Sequence, residues 1–447
     1  MVREQSLTHG NVFKTLLGFS IPFLITNVFQ ALYGAADLFM VGRFTDSAGV
    51  SAVATGSQIM QTVTGLIVGM TTGGTVMIAQ HFGAGRKKDM ANTIATAVSI
   101  FGFLAIFLTS LIIIFLDFIC AAMMVPDESY ELTRQYLMIC STGIIFIFGF
   151  NTVSSVLRGI GDSKTPFYFI AIACFTNIMA DYILVGIFDM GPQGAAVATV
   201  TAQALSMIMC FIYLNKKGHI YKFKTKKPSV GYIYSRGILS IGIPIAMQEM
   251  FVNISFLIIT AVINSMGVTA SAAVGVVEKL IMFSMLPTTA FASAVSAMTA
   301  QNIGAGLTDR AKKCMYSGVV LSLVFGIACY ILAQVNTEIM ISIFTSDKEV
   351  MYQGTLYLKS YSLDCIIVCF VFCMNTFFSG SGHAVFPLVH SIFATFLIRI
   401  PLSYILSRMP NASMFYIGFA APLASFVSML LCFWFFNRIY TRQHTYN

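Results

Sequence analysis

Long apolar stretches alternate with short polar or glycine-rich turns along the whole chain. Apolar windows of about 20 residues or more are long enough to cross a bilayer as α-helices. We place such windows at 14–41, 47–78, 92–117, 131–157, 165–187, 192–214, 236–263, 269–299, 315–337, 353–379, 386–408 and 415–437. The pattern therefore predicts an all-α membrane protein with twelve transmembrane helices.

The two halves of the chain have related sequences at a spacing of about 221 residues. The segment Ala79–Gly85 returns as Ala300–Gly306, and Pro22 returns as Pro244 with one residue of slip. Because each half holds an even number of spans, both halves enter the membrane from the same side. The repeat predicts two six-helix lobes related by a pseudo-two-fold axis along the membrane normal.

Composition and charge place this protein in a membrane and orient it there. Hydrophobic residues make up 57% of the chain and charged residues 10%, which is too few charges for the surface of a soluble protein. Of the 26 Lys and Arg residues, 19 lie on the side that also holds both termini. The positive-inside rule then predicts a multi-pass protein of the plasma membrane with both termini in the cytoplasm. The first apolar stretch is long enough to span, so we expect no removable signal peptide.

The predicted N-terminal lobe covers 1–214, and the C-terminal lobe covers 236–447. Between them, 215–235 is a linker with six lysines. Such a run fits a nucleic-acid or anionic-lipid patch, but a cytoplasmic loop that orients the chain is the simpler interpretation. We expect no nucleic-acid partner.

Ten cysteines raise the question of metal or disulfide chemistry. Most lie inside the spans, and Cys365, Cys369 and Cys373 recur along one helix face without an accompanying His. Thiolates are costly in hydrocarbon, so these residues are predicted to be small packing residues. No disulfide framework is implied.

The sequence contains no obvious chemical energy source. Gly161–Thr165 resembles a phosphate loop only superficially, because it lacks the Gly-Lys-Thr core and leads into a span. This argues against an ATP-driven pump in one chain. No catalytic constellation is found either, since His81, His383 and His390 form no set with the acidic residues. We therefore expect neither an enzyme nor a cofactor, and we expect an ion gradient to drive the protein.

Acidic side chains within membrane spans are costly and mark functional sites or ion pairs. Asp37, Asp181 and Thr199 all lie about 8 to 10 Å below the outer surface at the usual helical rise. Asn177 is one turn from Asp181, on the same helix face. Burial and mutual repulsion of the carboxylates favour uptake of a proton, and the same oxygens suit Na⁺. We predict a cation-coupling site from these four residues, and both ions stay open.

The second half does not repeat this cluster, because Asp37 aligns near Ile259 and Asp181 near Ser403. Its own polar residues within the spans are predicted to contact substrate or to form a charge-compensating network. Glu249 has no obvious partner and is a candidate for attracting a cationic substrate. The full set of such candidates, including one from the first span, is Gln30, Met247, Gln248, Glu249, Glu278, Asp364 and Arg399.

Several motifs together resemble the MATE family of multidrug and toxic compound extrusion transporters. The resemblance covers nearly the whole chain. Its motifs are Pro22 with Asp37–Gly42, the repeated Ala79–Gly85 and Ala300–Gly306 segments, and Arg158–Pro166. It implies two lobes that alternate between outward and inward openings and export organic cations or amphiphiles in exchange for H⁺ or Na⁺.

The resemblance also assigns roles to residues. In the prokaryotic branch with an N-lobe ion site, the coupling positions correspond to Asp37, Asn177, Asp181 and Thr199 here. Span one is expected to bend near Pro22, which we take as the hinge.

The expected partners follow from this resemblance. They are cationic or amphiphilic small molecules, H⁺ or Na⁺ and the lipid bilayer, with no metal beyond Na⁺ and a monomeric chain. The alternative is a flippase for lipid-linked oligosaccharides from the same superfamily. A flippase for pyrophosphate-linked sugars needs a strongly cationic cavity, whereas only Arg399 and Lys279 lie well inside the spans.

Overall fold

The computed structural model describes residues 6–216, 231–409 and 413–440, and every regular element within them is helical. The helices of the first half are α1 (Val12–Phe44), α2 (Ser47–Gly83), α3 (Lys87–Ile114), α4 (Leu116–Ala122), α5 (Asp127–Thr142), α6 (Ile144–Gly159), α7 (Lys164–Asp181), a π-helical turn (Tyr182–Ile187) and α8 (Gly191–Lys216).

The second half has a parallel sequence of elements. They are α9 (Tyr232–Asn264), α10 (Val268–Gly304), α11 (Thr308–Val335), α12 (Thr337–Ser342), α13 (Lys348–Tyr361), α14 (Asp364–Gly380), α15 (Val385–Ala394), a π-helical turn (Thr395–Arg399), α16 (Ile400–Ser407), α17 (Met414–Gly418) and α18 (Ala420–Tyr440).

Ten helical stretches are long and apolar enough to cross a membrane, and two bent helix pairs raise the number to twelve. The pair α5 and α6 bends by 41°, and the pair α13 and α14 bends by 45°. The twelve predicted windows correspond to these stretches when each bent pair counts as one span. The sequence windows placed each pair in one span, although polar or glycine residues at 141–143 and 359–364 interrupt the apolar pattern at the two breaks.

The helices extend into the predicted linker from both sides. Helix α8 continues to Lys216 and α9 begins at Tyr232, because polar residues prolong a helix beyond the apolar core of its span. The rest of the predicted linker, 217–230, lies outside the described residues. The lobe boundaries at 214 and 236 stay a prediction.

The chain divides into two compact units by its internal contacts. The first unit comprises Met1–His9, Ile21–Ala246 and Ala300–Gly306, and the second comprises Gly10–Ser20, Met247–Thr299 and Leu307–Asn447.

In the first unit, α2 is a central helix with 56% of its apolar window buried, whereas α3 is at the periphery with 22%. Close packing around α2 depends on small residues, as is usual between membrane helices. A Cβ at Gly69 would collide with the backbone of Ala246, and one at Gly73 with the backbone of Gly242.

The second unit has a similar organisation, with α10 as its central helix. Cys365, Cys369 and Cys373 are buried on α14, where the Cys369 thiol contacts Thr288 at 3.7 Å and the Cys373 thiol contacts Ser322 at 3.5 Å. An added Cβ at Gly326 would meet the Cys365 carbonyl oxygen. The thiols thus occupy narrow spaces between helices.

Candidate functional site

The four predicted coupling residues come from three helices of the first unit. Asp37 lies in the C-terminal half of α1, Asp181 is the last residue of α7 with Asn177 one turn before it, and Thr199 lies in α8. The Thr199 hydroxyl donates a hydrogen bond of 3.3 Å to Oδ2 of Asp37. Asp37 is 4% exposed, and Asn177 and Asp181 are fully buried. The structure therefore brings all four residues together.

The carboxyl groups of Asp37 and Asp181 are close enough to interact with each other, and Asn177 lies beside Asp37. We call Asp37 and Asp181 the carboxylate pair. Within the described chain, neither member of the pair forms an ion pair with a basic side chain within 4.0 Å.

Many polar atoms around the carboxylate pair are buried without a hydrogen-bond partner among the described residues. They are Oδ1 of Asp37, both carboxylate oxygens of Asp181, the amide oxygen and nitrogen of Asn177, and the hydroxyl of Tyr33. Buried polar groups are normally satisfied, and a concentration of exceptions requires an explanation. A bound cation, a proton or water would satisfy these oxygens.

Sequence reasoning missed three members of this environment. Tyr33 is one turn before Asp37 on α1, and its hydroxyl lies near Thr199 and the carboxylate pair. Tyr136 and Cys140, one turn apart on α5, also lie near Asp37. The spacing of four residues between Tyr33 and Asp37 was a usable signal, because residues at i and i+4 share a helix face. Tyr136 and Cys140 gave no such signal, because α5 is distant in sequence. We call Tyr33, Asp37, Asn177, Asp181 and Thr199 the acidic cluster.

A π-helical turn, Tyr182–Ile187, begins directly after Asp181. Such turns break the regular helical register and are frequent at functional sites. The departure from α-helical geometry thus begins next to the carboxylate pair.

The second unit contains a different arrangement around Arg399, the last residue of the other π-helical turn. Arg399 donates a hydrogen bond of 3.1 Å to the Tyr361 hydroxyl, and its guanidinium carbon lies 4.4 Å from the centre of the Phe256 ring. Glu278 and Asp364 both interact electrostatically with Arg399, although neither is within 4.0 Å of it in the described structure. We call Glu278, Tyr361, Asp364 and Arg399 the Arg399 network.

Asp364 is 4% exposed and begins α14 at the bend of its span. It also interacts with Ser425 of the same unit. The structure thus brings Glu278, Asp364 and Arg399 together, and a charge-compensating role for them stays a prediction. Substrate contact by these three residues stays a prediction.

The remaining candidates do not join either group. In the second unit, Gln248 donates a hydrogen bond of 3.1 Å to Ser391, while Met247 and Glu249 have exposed side chains. In the first unit, Gln30 is exposed, and Pro22 is buried inside the continuous helix α1. The hinge role of Pro22 and the substrate roles of the others stay predictions.

The acidic cluster has the chemistry of a site for a hard monovalent cation or a proton. Carboxylate, amide and hydroxyl oxygens are ligands for hard ions. Among the described residues, no group of three or more His, Cys, Asp or Glu side chains is arranged to hold a metal ion. A buried, uncompensated carboxylate pair is costly in a membrane protein and indicates function. Together, the many spans and this cluster are typical of a membrane transport protein.

Comparison with known proteins gives the family. The MatE family model matches residues 22–183 and again 244–405, so each half of the chain matches it separately. The chain belongs to the MATE family of transporters.

Individual relatives and solved structures agree with this assignment. The chain is 28% identical over 413 residues to "Probable multidrug resistance protein YpnP" of Bacillus subtilis, with 91% of each chain covered. It is 25% identical over 446 residues to "Probable multidrug resistance protein YoeA" of the same organism, covering 98% of this chain and 96% of the relative. The structure of a multidrug resistance MATE family transporter in an outward-facing conformation covers 99% of each chain with a TM-score of 0.93 and 18% identity. The predicted fold class, twelve transmembrane helices in two six-helix lobes, is confirmed.

Proposed function

We propose that this protein is a secondary antiporter that exports organic cations or amphiphilic drugs in exchange for H⁺ or Na⁺. The observation that carries the proposal is the carboxylate pair of the first unit, buried with unsatisfied oxygens and with no basic partner within 4.0 Å in the described chain. Such a pair is stabilised by taking up a cation, so its occupancy follows the ion gradient.

The coupling roles are assigned as follows. Asp37 and Asp181 carry the exchangeable charge, Asn177 supplies an amide oxygen beside them, and Thr199 orients Asp37 through its hydrogen bond. Uptake of the ion reduces the negative charge of the pair by one and changes its hydrogen bonds, which favours bending of α1 near Pro22 and release of the drug. The next substrate binds after the ion leaves.

The names of the relatives support the substrate class. Proteins called multidrug resistance proteins are similar over nearly the full length of this chain. The exposed Glu249 and Met247 of α9 suit an organic cation, because a carboxylate attracts its charge and a thioether adapts to varied apolar shapes. The oligosaccharide flippase is not favoured by these relatives.

The test is transport by the purified protein in liposomes, with pH and Na⁺ gradients imposed separately. Export of a fluorescent organic cation such as ethidium should follow one of the two gradients. Placement in the plasma membrane, cytoplasmic termini and a monomeric state are parts of the same proposal. The antiport proposal is wrong if neither gradient, alone or together, drives ethidium against its concentration difference.

A further inference from the structure

A basic groove lies in the second unit between the start of α1 and the start of α11. Its volume is about 520 Å³, and its lining includes Val12, Phe13, Arg310, Lys313, Tyr316 and Ser317. Arg310 is held at the edge by a hydrogen bond of 2.7 Å from its guanidinium to the Gly10 carbonyl oxygen. None of the residues that line the groove in the described structure is acidic. We call this space the basic groove.

The first unit fills the corresponding position with a protein side chain. There, the Tyr234 hydroxyl at the start of α9 donates a hydrogen bond of 2.9 Å to Asp89 and accepts one of 3.2 Å from Asn92, both on α3. The ring of Tyr234 also contacts His81 with a centroid distance of 6.2 Å. A tyrosine therefore closes the junction of these two helices.

The internal repeat relates the two positions residue by residue. At the spacing of 221 that superimposes Ala79–Gly85 on Ala300–Gly306, Asp89 corresponds to Arg310 and Asn92 to Lys313. At the spacing of 222 that superimposes Pro22 on Pro244, Tyr234 corresponds to Val12. In the second half, two cations thus replace the two residues that hold the tyrosine hydroxyl. A short apolar side chain also replaces the tyrosine, so the position is left open.

The change of charge selects the kind of ligand. Asp89 accepts a hydrogen bond from the neutral Tyr234 hydroxyl, and Asn92 donates one to it. Arg310 and Lys313, in contrast, can only donate hydrogen bonds, and both carry positive charge. The nearby Asp309 is engaged by Lys312 at 3.2 Å. Lys313 is exposed and has no acidic group within 4.0 Å in the described chain. A group with several anionic oxygens fits this pair of donors, and phosphate is the usual one.

The surroundings of the groove indicate an amphiphile as the carrier of that phosphate. Phe13 is 42% exposed and Tyr316 is 52% exposed, so apolar surface continues outward from the cations. Both side chains lie on helices that are apolar enough to span the membrane. The charge pattern predicts that this end of the helices is cytoplasmic, where the leaflet is rich in anionic lipids and basic pockets between helices bind their headgroups.

We propose that the basic groove binds the phosphate headgroup of an anionic phospholipid, with Arg310 and Lys313 as its charged contacts and with Phe13 and Tyr316 beside the acyl chains. This lipid takes the place that Tyr234 occupies in the first unit. The proposal does not rest on the transport function, because none of the residues that line the groove belongs to the acidic cluster.

The test uses a single fluorescent reporter in the groove of the full-length protein. Trp434 is the one tryptophan of the sequence, so Trp434→Phe combined with Phe13→Trp leaves a single tryptophan at the groove. Quenching is measured in phosphatidylcholine bilayers that contain either brominated phosphatidylglycerol or brominated phosphatidylcholine. We expect the reporter to be quenched more strongly by brominated phosphatidylglycerol than by brominated phosphatidylcholine. This preference should fall about fivefold for each cation that is removed by Arg310→Gln or Lys313→Gln.

Matched variants of the first half serve as the control. Arg86→Gln with Lys88→Gln removes two cations at the start of α3, the equivalent of the start of α11, and should leave the preference unchanged. If Arg310→Gln impairs folding through loss of its bond to Gly10, Lys313→Gln alone still predicts a fivefold loss. The proposal is overturned if the reporter senses both lipids equally or if the double variant Arg310→Gln, Lys313→Gln keeps the full preference.

Two further arms identify the source of the phosphate and the role of the open space. Inorganic phosphate at millimolar concentration should not displace the lipid, and displacement would assign the groove to a free anion instead. The triple variant Val12→Tyr, Arg310→Asp, Lys313→Asn rebuilds the arrangement of the first unit. Native mass spectrometry of this variant, without the reporter, should show loss of the retained phosphatidylglycerol, whereas unchanged retention contradicts the assignment of the groove.

Discussion

The acidic cluster and the Arg399 network differ in how the negative charge of carboxylates within the spans is compensated. At the spacing of 222 residues, Asn177 of the first unit corresponds to Arg399 of the second. Asp37 and Asp181 have no cation within 4.0 Å in the described chain, whereas Glu278 and Asp364 share the field of a resident guanidinium. From this difference we infer that the first unit needs an exchangeable cation, as the proposed antiport requires, whereas the second unit contains its own.

The largest expected effect comes from neutralising the carboxylate pair. A gradient of about two pH units sustains about hundredfold accumulation for one proton. Asp37→Asn and Asp181→Asn, singly and together, should reduce gradient-driven accumulation of ethidium in liposomes to near unity, because the neutral amides hold no exchangeable charge. Glu278→Gln is the matched control in the second unit, and it should keep the coupling. An equal loss of ethidium accumulation in Glu278→Gln would contradict the assignment of ion coupling to the first unit alone.

Transplanting the resident cation sharpens the comparison. A cation close to a carboxylate weakens its affinity for a proton or another cation by about tenfold or more. Asn177→Arg should therefore convert the acidic cluster into a compensated network and lower ion-driven export by at least about that factor. Asn177→Gln keeps the charge and controls for side-chain size. Full coupling in Asn177→Arg, with its fold intact, would contradict the assignment of the cluster.

Stability should respond in opposite directions in the two units. Arg399→Gln leaves Glu278 and Asp364 without compensation and should lower the free energy of unfolding by about 3 kcal/mol. Asp181→Asn instead relieves repulsion within the carboxylate pair and should stabilise the protein slightly. Thermal unfolding in detergent measures both effects. Rescue of Arg399→Gln by added Glu278→Gln is the internal check, and its absence would speak against a charge effect.

A smaller effect is expected from the hydroxyl that sequence reasoning missed. Tyr33→Phe removes one oxygen of the acidic cluster and should lower the affinity for the coupling ion by about fivefold. This factor is the equivalent of one hydrogen bond of about 1 kcal/mol. The ion concentration for half-maximal transport is the measurement. Tyr361→Phe, which removes the partner of Arg399, is the control and should leave that concentration unchanged. If Tyr33 acts only through packing, the ion concentration for half-maximal transport should be the same in Tyr33→Phe and Tyr361→Phe.

The smallest effect concerns an acid outside the spans. Arg134 donates a hydrogen bond of 2.9 Å to Asp117 and holds the pKa of Asp117 below its ordinary value. The stabilisation from a lowered pKa is present above the ordinary value and disappears as the pH falls through the lowered one. Both values are far below neutral pH. Asp117→Asn should therefore leave the pH profile of transport between about 6 and 8 unchanged.

Much of the fold could be predicted from the sequence, because membrane spans must be apolar over their full length. The repeat of Ala79–Gly85 as Ala300–Gly306 gave the two related halves. The bends at α5–α6 and α13–α14 were not predicted, because short polar stretches such as 141–143 and 359–364 also occur in straight spans and the bend depends on packing against neighbouring helices. The π-helical turn after Asp181 escaped prediction for the same reason.

The acidic cluster was partly predictable from cost and depth. Asp37 and Asp181 stood out because carboxylates are rare in hydrocarbon, and the spacing of Asn177 placed it on the same face as Asp181. Tyr136 and Cys140 did not stand out, since aromatic and sulfur side chains are common in apolar spans. Their proximity to Asp37 depends on how α5 packs in three dimensions. The contrast between Tyr234 and Val12 likewise required the structure, since nothing in the sequence marks a tyrosine that fills a junction.

The central claim is that ion and drug exchange through the carboxylate pair, and it has a direct equilibrium test. Ethidium is added to the purified protein, and the release of H⁺ into weakly buffered solution and of bound Na⁺ is measured for each molecule bound. The wild type should release one of these ions, the double variant Asp37→Asn, Asp181→Asn should bind ethidium without release, and Glu278→Gln should behave as the wild type. Undiminished ion release from the double variant would contradict the account.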